Sequence, residues 1–373
     1  LVPAAMWGYN FNYRIENNEA IVTRTPDAKG VVEIPSKIEV KGVKYPVTAI
    51  DDSAFYFCYY ITDVKLPKSI ERIGDLAFFG TSIQEPVYTK TIFAYLPESF
   101  EGEYKMPKNI TTITGGAFMG CGGLTSVVLP KNLVHIGDLA FWGSSVNHPV
   151  YSQTEFVYMP STFKGSYTVP EGITRIADKA FIDCRELEAV ILPNSVKSIS
   201  KMAFLQCGKL ISVQLPAELD EIGDSAFFEC KWLYKIDFSS CKIKKIGKGA
   251  FYSCAALQKV IFAEGLTSIG DGAFAHCYDI DEVKLPASLE EIGILTFDRT
   301  KKVTTPIYST KIFVRMPEDA TGTYEIPEGI EKIAPMAFRF CQKLTSVKIP
   351  SSVKEIGDKA FEYTKIEVIK TDL

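Results

Sequence analysis

Apolar residues return along this chain at a spacing much longer than a helical turn or a strand alternation. An Ala-Phe pair recurs with its Phe at 55, 78, 118, 141, 181, 204, 227, 251, 274, 338 and 361, and Thr296-Phe297 fills the one gap. The Phe-to-Phe steps are 23, 40, 23, 40, 23, 23, 24, 23, 23, 41 and 23 residues. Aligned on this Phe, the unit reads A-F-x-x-C-x-x-L-x-x-V-x-L-P-x-x-L-x-x-I-G-D-x, cleanest in AFMGCGGLTSVVLPKNLVHIGDL, residues 117–139. A fixed period of this length predicts a solenoid, in which each unit seals its neighbours.

Each position has a physical reading. Leu124, Val127 and Leu129 alternate as a short strand does, and Pro130, lacking an amide hydrogen, ends its ladder. Ile136-Gly137-Asp138 then turns the chain, with Gly supplying dihedrals that other residues resist. Ala140-Phe141 is expected in a short turn or single helical turn on the opposite side, Phe inward. About seven apolar side chains per unit contribute roughly 10–20 kcal/mol gross. Ordering the backbone costs more, at ~1–2 kcal/mol per residue. One unit therefore cannot fold alone.

The 40- and 41-residue steps contain three stretches that align without a gap: PVYTKTIFAYLPESFEGEYKMP (86–107), PVYSQTEFVYMPSTFKGSYTVP (149–170) and PIYSTKIFVRMPEDATGTYEIP (306–327). Each reads as an additional, shortened rung. Pro86 and Tyr88 align with Val64 and Leu66 of the preceding unit, and Tyr104 and Met106 do so 18 residues later. A rung of that length has no room for the Ala-Phe turn, so the outer wall is expected to narrow there and the curvature to change locally.

The ends differ from the middle. Residues 9–24 read as a hairpin around the Glu16–Glu19 turn, VVEIP (31–35) as a first rung, and residues 37–50 as a second hairpin around Lys41-Gly42. Residues 1–50 thus form a β cap over the first sheet edge, which would otherwise be free to pair. Residues 51–373 continue as one elongated solenoid domain, ending in a strand over 366–373. About sixteen strands at ~4.8 Å each would run roughly 75 Å.

Composition changes this picture little. With 41 basic and 45 acidic side chains, the net charge of −4 argues against a nucleic-acid binder. No stretch approaches 18 consecutive apolar residues, so no transmembrane segment is expected. The start, LVPAAMWGYN, lacks the layout of a signal peptide, so an exported form would have shed its address already.

The unit L-x-x-V-x-L-P followed by I-G-D-x-A-F-x-x-C resembles the BspA-type leucine-rich repeat over residues 31–370, as do the Gly-x-Tyr-x-apolar-Pro insertions and the VTAIDDSAF start at 47–55. The resemblance implies an α/β leucine-rich-repeat solenoid: a parallel β-sheet on one face, short helical turns on the other, and here an N-terminal β-hairpin cap. Such proteins are largely bacterial, exported or surface-attached, and associated with adhesion to host proteins or other cells. The resemblance implies no catalytic residues and no defined ligand.

Eight of nine cysteines (58, 121, 184, 207, 230, 254, 277 and 341) fall three residues after the repeat Phe, where the other units hold Thr81, Ser144, Thr300 and Thr364. Such exchange suits a small buried donor and not a disulfide or a metal ligand, so a reduced, buried Cys ladder is expected. Neighbouring rungs do lie within disulfide reach, which leaves an occasional bridge open. Cys241 falls outside the slot and is expected to be more exposed. His135, His148 and His276 occupy different repeat positions and suggest no triad. The recurring Asp75, Asp138, Asp224, Asp271 and Asp358 read as turn-stabilising Asx residues and not as a calcium row. No cofactor and no metal is expected.

Candidate function falls on the outward strand positions. Val128, Val150, Ala189 and Ile191 are expected to form an apolar strip, and Gln214, Lys235 and Asp237 to extend the same rows; Val87 and Ile307 are placed outward too. An exposed apolar strip edged by polar groups suits a partner, whereas isolated apolar residues are common on any surface. The expectation is a non-enzymatic, exported binding protein that engages a protein or glycan at a cell surface or in host matrix through its sheet face. The alternative is a structural spacer presenting another module. Ligand, attachment and oligomeric state are not written in the sequence.

Overall fold

In the coil from Phe204 to Ala226 the chain makes three passes. Ser212–Gln214 is a strand of the long-strand sheet, Glu221–Ile222 is a two-residue strand on a second side, and the Ala-Phe segment closes the coil. The computed structural model describes residues 11–370; positions 9–10 of the first hairpin and 371–373 of the last strand lie outside the described residues. The chain divides into two compact units, residues 1–160 and 161–373.

In the second unit, Lys164–Thr168, Glu186–Ile191 and Ser212–Gln214 pair in parallel, as do Lys235–Asp237 with Lys259–Ile261, and Gly322–Glu325 with Leu344–Ile349 and Glu367–Lys370. A second parallel ladder, which the sequence did not announce, joins Arg175–Ile176, Ser198–Ile199, Glu221–Ile222, Lys245–Ile246, Ser268–Ile269 and Glu291–Ile292. Two-residue strands are too short to show an alternation, so I-G-D reads as a turn from sequence alone.

The expected helical turns are absent: no helix occurs among the described residues. Ser225 and Glu229 adopt left-handed φ values of 54° and 56°, which no α-helix contains. Amides of Ala226, Phe228 and Cys230 bond within the coil to carbonyls three residues back, while those of Ser225, Phe227 and Glu229 bond across to Lys248, Ala250 and Tyr252 of the next coil at 2.7–2.8 Å. A left-handed residue costs ~1–2 kcal/mol. The cross-coil bonds offset that cost and would be lost if the segment wound into a helix.

Aromatic stacking fills the interior. Phe181, Phe204, Phe227, Phe251, Phe274 and Phe297 form a column with successive centroids 4.6–5.4 Å apart and planes within 14°. That spacing matches the distance between neighbouring strands, and each ring pair adds ~0.5–1.5 kcal/mol beyond burial. Phe313, Phe338 and Phe361 continue the pattern.

Two small motif residues tie coils together. The glycine of the I-G-D position has no positive φ; its requirement is proximity, since a Cβ on Gly247, which Lys248 follows in place of Asp, would stand 2.5 Å from the Asp224 amide nitrogen. The I-G-D aspartates reach beyond their own turn: Asp224 Oδ1 accepts from the amide of Lys248 at 2.7 Å, and Asp271 Oδ1 from that of Ile294 at 3.0 Å.

In the first unit the cap is built of two hairpins. Asn12–Glu16 pairs with Glu19–Thr23, and Lys37–Val40 with Val43–Ile50, both antiparallel. Val43–Ile50 lies between Glu19–Thr23 and Arg72–Ile73, so the cap is continuous with the short ladder. The first long-sheet strand, Gly30–Glu33, pairs with Ile61–Lys65.

The insertions are only half rung. Tyr104 pairs in parallel with Val127, as a shortened rung requires. Residues 87–95, however, reverse: Val87–Tyr88 runs antiparallel to Ile92–Tyr95, and the same hairpin forms at Val150–Tyr151 with Glu155–Tyr158 and at Ile307–Tyr308 with Ile312–Arg315. The Ser or Thr four residues before Phe explains the reversal. The hydroxyl oxygens of Thr89, Ser152 and Ser309 accept amides two and three residues on, which closes the turn. Phe93 then stacks on Phe118 at 5.0 Å and 11°, so the hairpin supplies the ring that an Ala-Phe turn would have given.

Candidate functional site

Outward positions of the long strands are the candidate surface, and the structure sorts the expected residues. Val128 and Ile191 are exposed, at 46% and 43%. Gln214 and Lys235 are exposed, and Ala189 and Asp237 are half-buried. Val150 is buried at 2% and leaves the candidate set, as do Val87 and Ile307. The reason is common to all three. Hairpin reversal shifts the parity of the strand by one residue, which turns the neighbouring tyrosine outward in its place. Tyr88, Tyr151 and Tyr308 are accordingly 42–47% exposed, each stacked on the hairpin Phe with centroids 6.1–6.3 Å apart. The signal that could have revealed them is the Ser or Thr that closes the turn.

Register gives the neighbours of each position. In the second unit Ile191 lies between Thr168 and Gln214, and Ala189 between Ser166 and Ser212. In the first unit Val128 lies beside Lys105. The expected apolar strip is therefore broken: Ile191 is a single apolar side chain set among polar ones. Further along, Lys235 stands beside Lys259 and Asp237 beside Ile261.

The charges on this face are mostly matched. Lys235 Nζ lies 3.0 Å from Asp237, and Lys284 lies 2.8 Å from Glu282. Glu325 pairs with Lys348 across the strands. Exposed pairs of this kind contribute ~0–1 kcal/mol each. Asp237 also accepts from the amide and hydroxyl of Ser239, at 3.0 and 2.6 Å. That hydrogen bonding, with Lys235 assisting, holds its carboxyl at about 2. Asp237 thus closes a turn as well as facing outward.

Beneath the surface, all nine cysteines are free and buried, Cys241 included at 7%. Its expected exposure is corrected: Cys241 bonds through its amide to Phe238 O at 2.8 Å, which draws the residue inward. Cys207, Cys230, Cys254 and Cys277 each donate through Sγ to the Phe carbonyl of the preceding coil at 3.0–3.2 Å. Thr300 and Thr364 hydroxyls donate instead to their own Phe297 and Phe361 carbonyls at 2.8 and 2.7 Å. Thr81 Oγ1 and Ser144 Oγ in the same slot are buried without a hydrogen-bond partner, so a small side chain is the common requirement, which accounts for the exchange among Cys, Thr and Ser.

The histidines stand in separate pairs. His135 lies 2.8 Å from Glu155, His148 lies 3.4 Å from Ser126 Oγ, and His276 lies 2.8 Å from the Tyr278 hydroxyl. Among the described residues, no three His, Cys, Asp or Glu side chains gather as a metal site would require, and no helix is long and apolar enough to cross a membrane.

Comparison with known proteins follows the repeat. The model of the BspA-type leucine-rich repeat region matches six copies over residues 36–147, 101–184, 174–304 and 319–372. A leucine-rich repeat protein structure from Bacteroides ovatus is 21% identical, covering 97% of this chain and 98% of its own, with a TM-score of 0.42. A leucine-rich cell surface protein from Faecalibacterium prausnitzii is 23% identical (98% and 94% covered, TM-score 0.35), and the pneumococcal vaccine antigen PcpA 18% identical (98% and 98%, TM-score 0.39). No curated protein matches the chain. The family match spans most of the sequence, and its unit is the coil described above: this chain belongs to the BspA-type leucine-rich repeat family.

Proposed function

We propose that this chain is a non-enzymatic binding protein, exported to the cell surface or secreted, whose outward strand rows engage a protein or glycan partner. One observation carries the reading. Inward positions of successive coils repeat nearly unchanged, as Phe204, Phe227, Phe251 and Phe274 and the cysteines after them do. Outward positions in the same coils do not repeat: one row runs Ser166, Ala189, Ser212, Lys235, Lys259 and Glu282, and the next runs Thr168, Ile191, Gln214, Asp237, Ile261 and Lys284. Uniform packing inside with varied chemistry outside suits a scaffold that recognises through many shallow contacts. A spacer has no use for that variety.

The test is capture of a partner from host-matrix and cell-surface preparations, with Ile191→Glu and Gln214→Ala variants alongside the parent chain. Weaker capture at an unchanged unfolding midpoint supports recognition by this face. Equal capture by parent and variants overturns recognition by this face, and no capture by any supports the spacer.

A further inference from the structure

Away from the outward strand rows, a cleft of about 470 Å³ opens in the second unit, where three successive coils pass from the Phe column to the long strands. Arg185, Gln206, Lys209, Glu229, Lys231 and Trp232 line it. The Trp232 side chain is 55% exposed and stacks on no other aromatic ring among the described residues. The coil has no packing use for so large an exposed ring: the turn-side residues in the equivalent places of the two preceding coils are Lys209 and Glu186, and the inward position is filled by Leu233.

The polar wall is closed upon itself. Lys209 Nζ lies 2.7 Å from Glu186, Gln206 Nε2 donates to Glu229 Oε2 at 3.4 Å, Lys231 lies 3.9 Å from the same carboxylate, and Arg185 lies 3.1 Å from Asp183. Each cation thus has a carboxylate, and no net charge is left to recruit an ionic ligand. What remains is one flat aromatic face beside alternating donors and acceptors in fixed positions.

We propose that this cleft binds a neutral pyranose glycan, with one sugar ring laid on Trp232. The indole face is the negative pole of an aromatic quadrupole and meets the partly positive C–H face of a pyranose. Vicinal hydroxyls, each both donor and acceptor, fit a wall where a carboxylate and an amide or ammonium stand side by side. A peptide fits less well, because the wall offers no apolar pocket for a side-chain anchor. An acidic sugar fits less well, because it would have to displace Glu186 or Glu229 from its cation. This site shares no residue with the outward strand rows, and its existence does not depend on them.

The experiment is titration of the full chain, by calorimetry and tryptophan fluorescence, with neutral glucan, xylan, mannan and galactan hexasaccharides, and with hyaluronan oligosaccharide as the acidic comparison. Expected is binding of at least one neutral sugar, weakened at least about tenfold in Trp232→Ala and lowered several-fold in Gln206→Ala. Trp142→Ala, also exposed but in the first unit, and Ile191→Glu should leave it unchanged. Because Trp232 lies on the surface, its removal should not move the unfolding midpoint. Binding of hyaluronan alone, binding that survives Trp232→Ala, or no binding by any neutral sugar overturns the proposal, and none of these outcomes bears on Ile191 and the strand rows.

Discussion

The thiol of Cys230 donates a hydrogen bond to the carbonyl oxygen of Phe204, one coil back, at 3.1 Å. The ring of Phe204 lies in turn on that of Phe227, 4.9 Å away and within 3° of parallel. The coils that carry Cys207, Cys230, Cys254 and Cys277 therefore hold their predecessors by a side-chain donor and a ring at once. Cys230→Ser keeps a donor in the slot and should cost within about 1 kcal/mol. Cys230→Val has no donor and adds bulk to a filled interior, and should cost about 1–3 kcal/mol. Urea unfolding midpoints of the two variants check the order, and a Val variant as stable as the Ser one would contradict it.

The same thiols make stability depend on alkaline pH. Burial pushes the Cys121, Cys277 and Cys341 thiols up to about 12, whereas an unfolded thiol loses its proton near ~8.5. Between those values the folded chain holds more protons than the unfolded one. Stability is then full below ~8.5 and falls as pH rises towards 12, by up to ~1.4 kcal/mol per pH unit for each such thiol. Midpoints measured from about pH 7.5 to about 10.5 should decline, and Cys277→Thr, with no titrating group, should decline less steeply. Parallel slopes would contradict the assignment.

Backbone proximity gives a third expectation. Gly247→Ala would place a methyl 2.5 Å from the Asp224 amide nitrogen and should cost about 1–3 kcal/mol by forcing two coils apart. Gly208→Ala meets nothing within 4 Å and should stay within about 0.5 kcal/mol. Thermal or urea midpoints distinguish them, and equal effects would show that coil spacing is not the constraint.

Legibility in the sequence followed chemistry that repeats. The Phe column, the small-side-chain slot and the return of Tyr104 to the sheet could be read from spacing, because equivalent positions meet one another from coil to coil. The left-handed residues were harder to read: glycine marks them in some coils, at Gly249 and Gly272 or Gly120 and Gly143, but the same positions hold Ser225 and Glu229 elsewhere, and that mixture hides the positive φ. The outward surface was misread where the chain reverses: Val87, Val150 and Ile307 look like strand residues of a parallel rung, and only the Thr89, Ser152 and Ser309 turns set their parity. Trp232 escaped notice because its position within the repeat is a turn, where exposure is ordinary.

The proposal that outward strand rows recognise a partner is tested most directly by lysine footprinting of the parent chain with and without a captured cell-surface or matrix preparation. Lys235, Lys259 and Lys284 on the strand rows should lose reactivity towards an acetylating reagent, while Lys201 and Lys248 on the turn side should keep theirs. Protection confined to the turn side, or no protection anywhere, would contradict it.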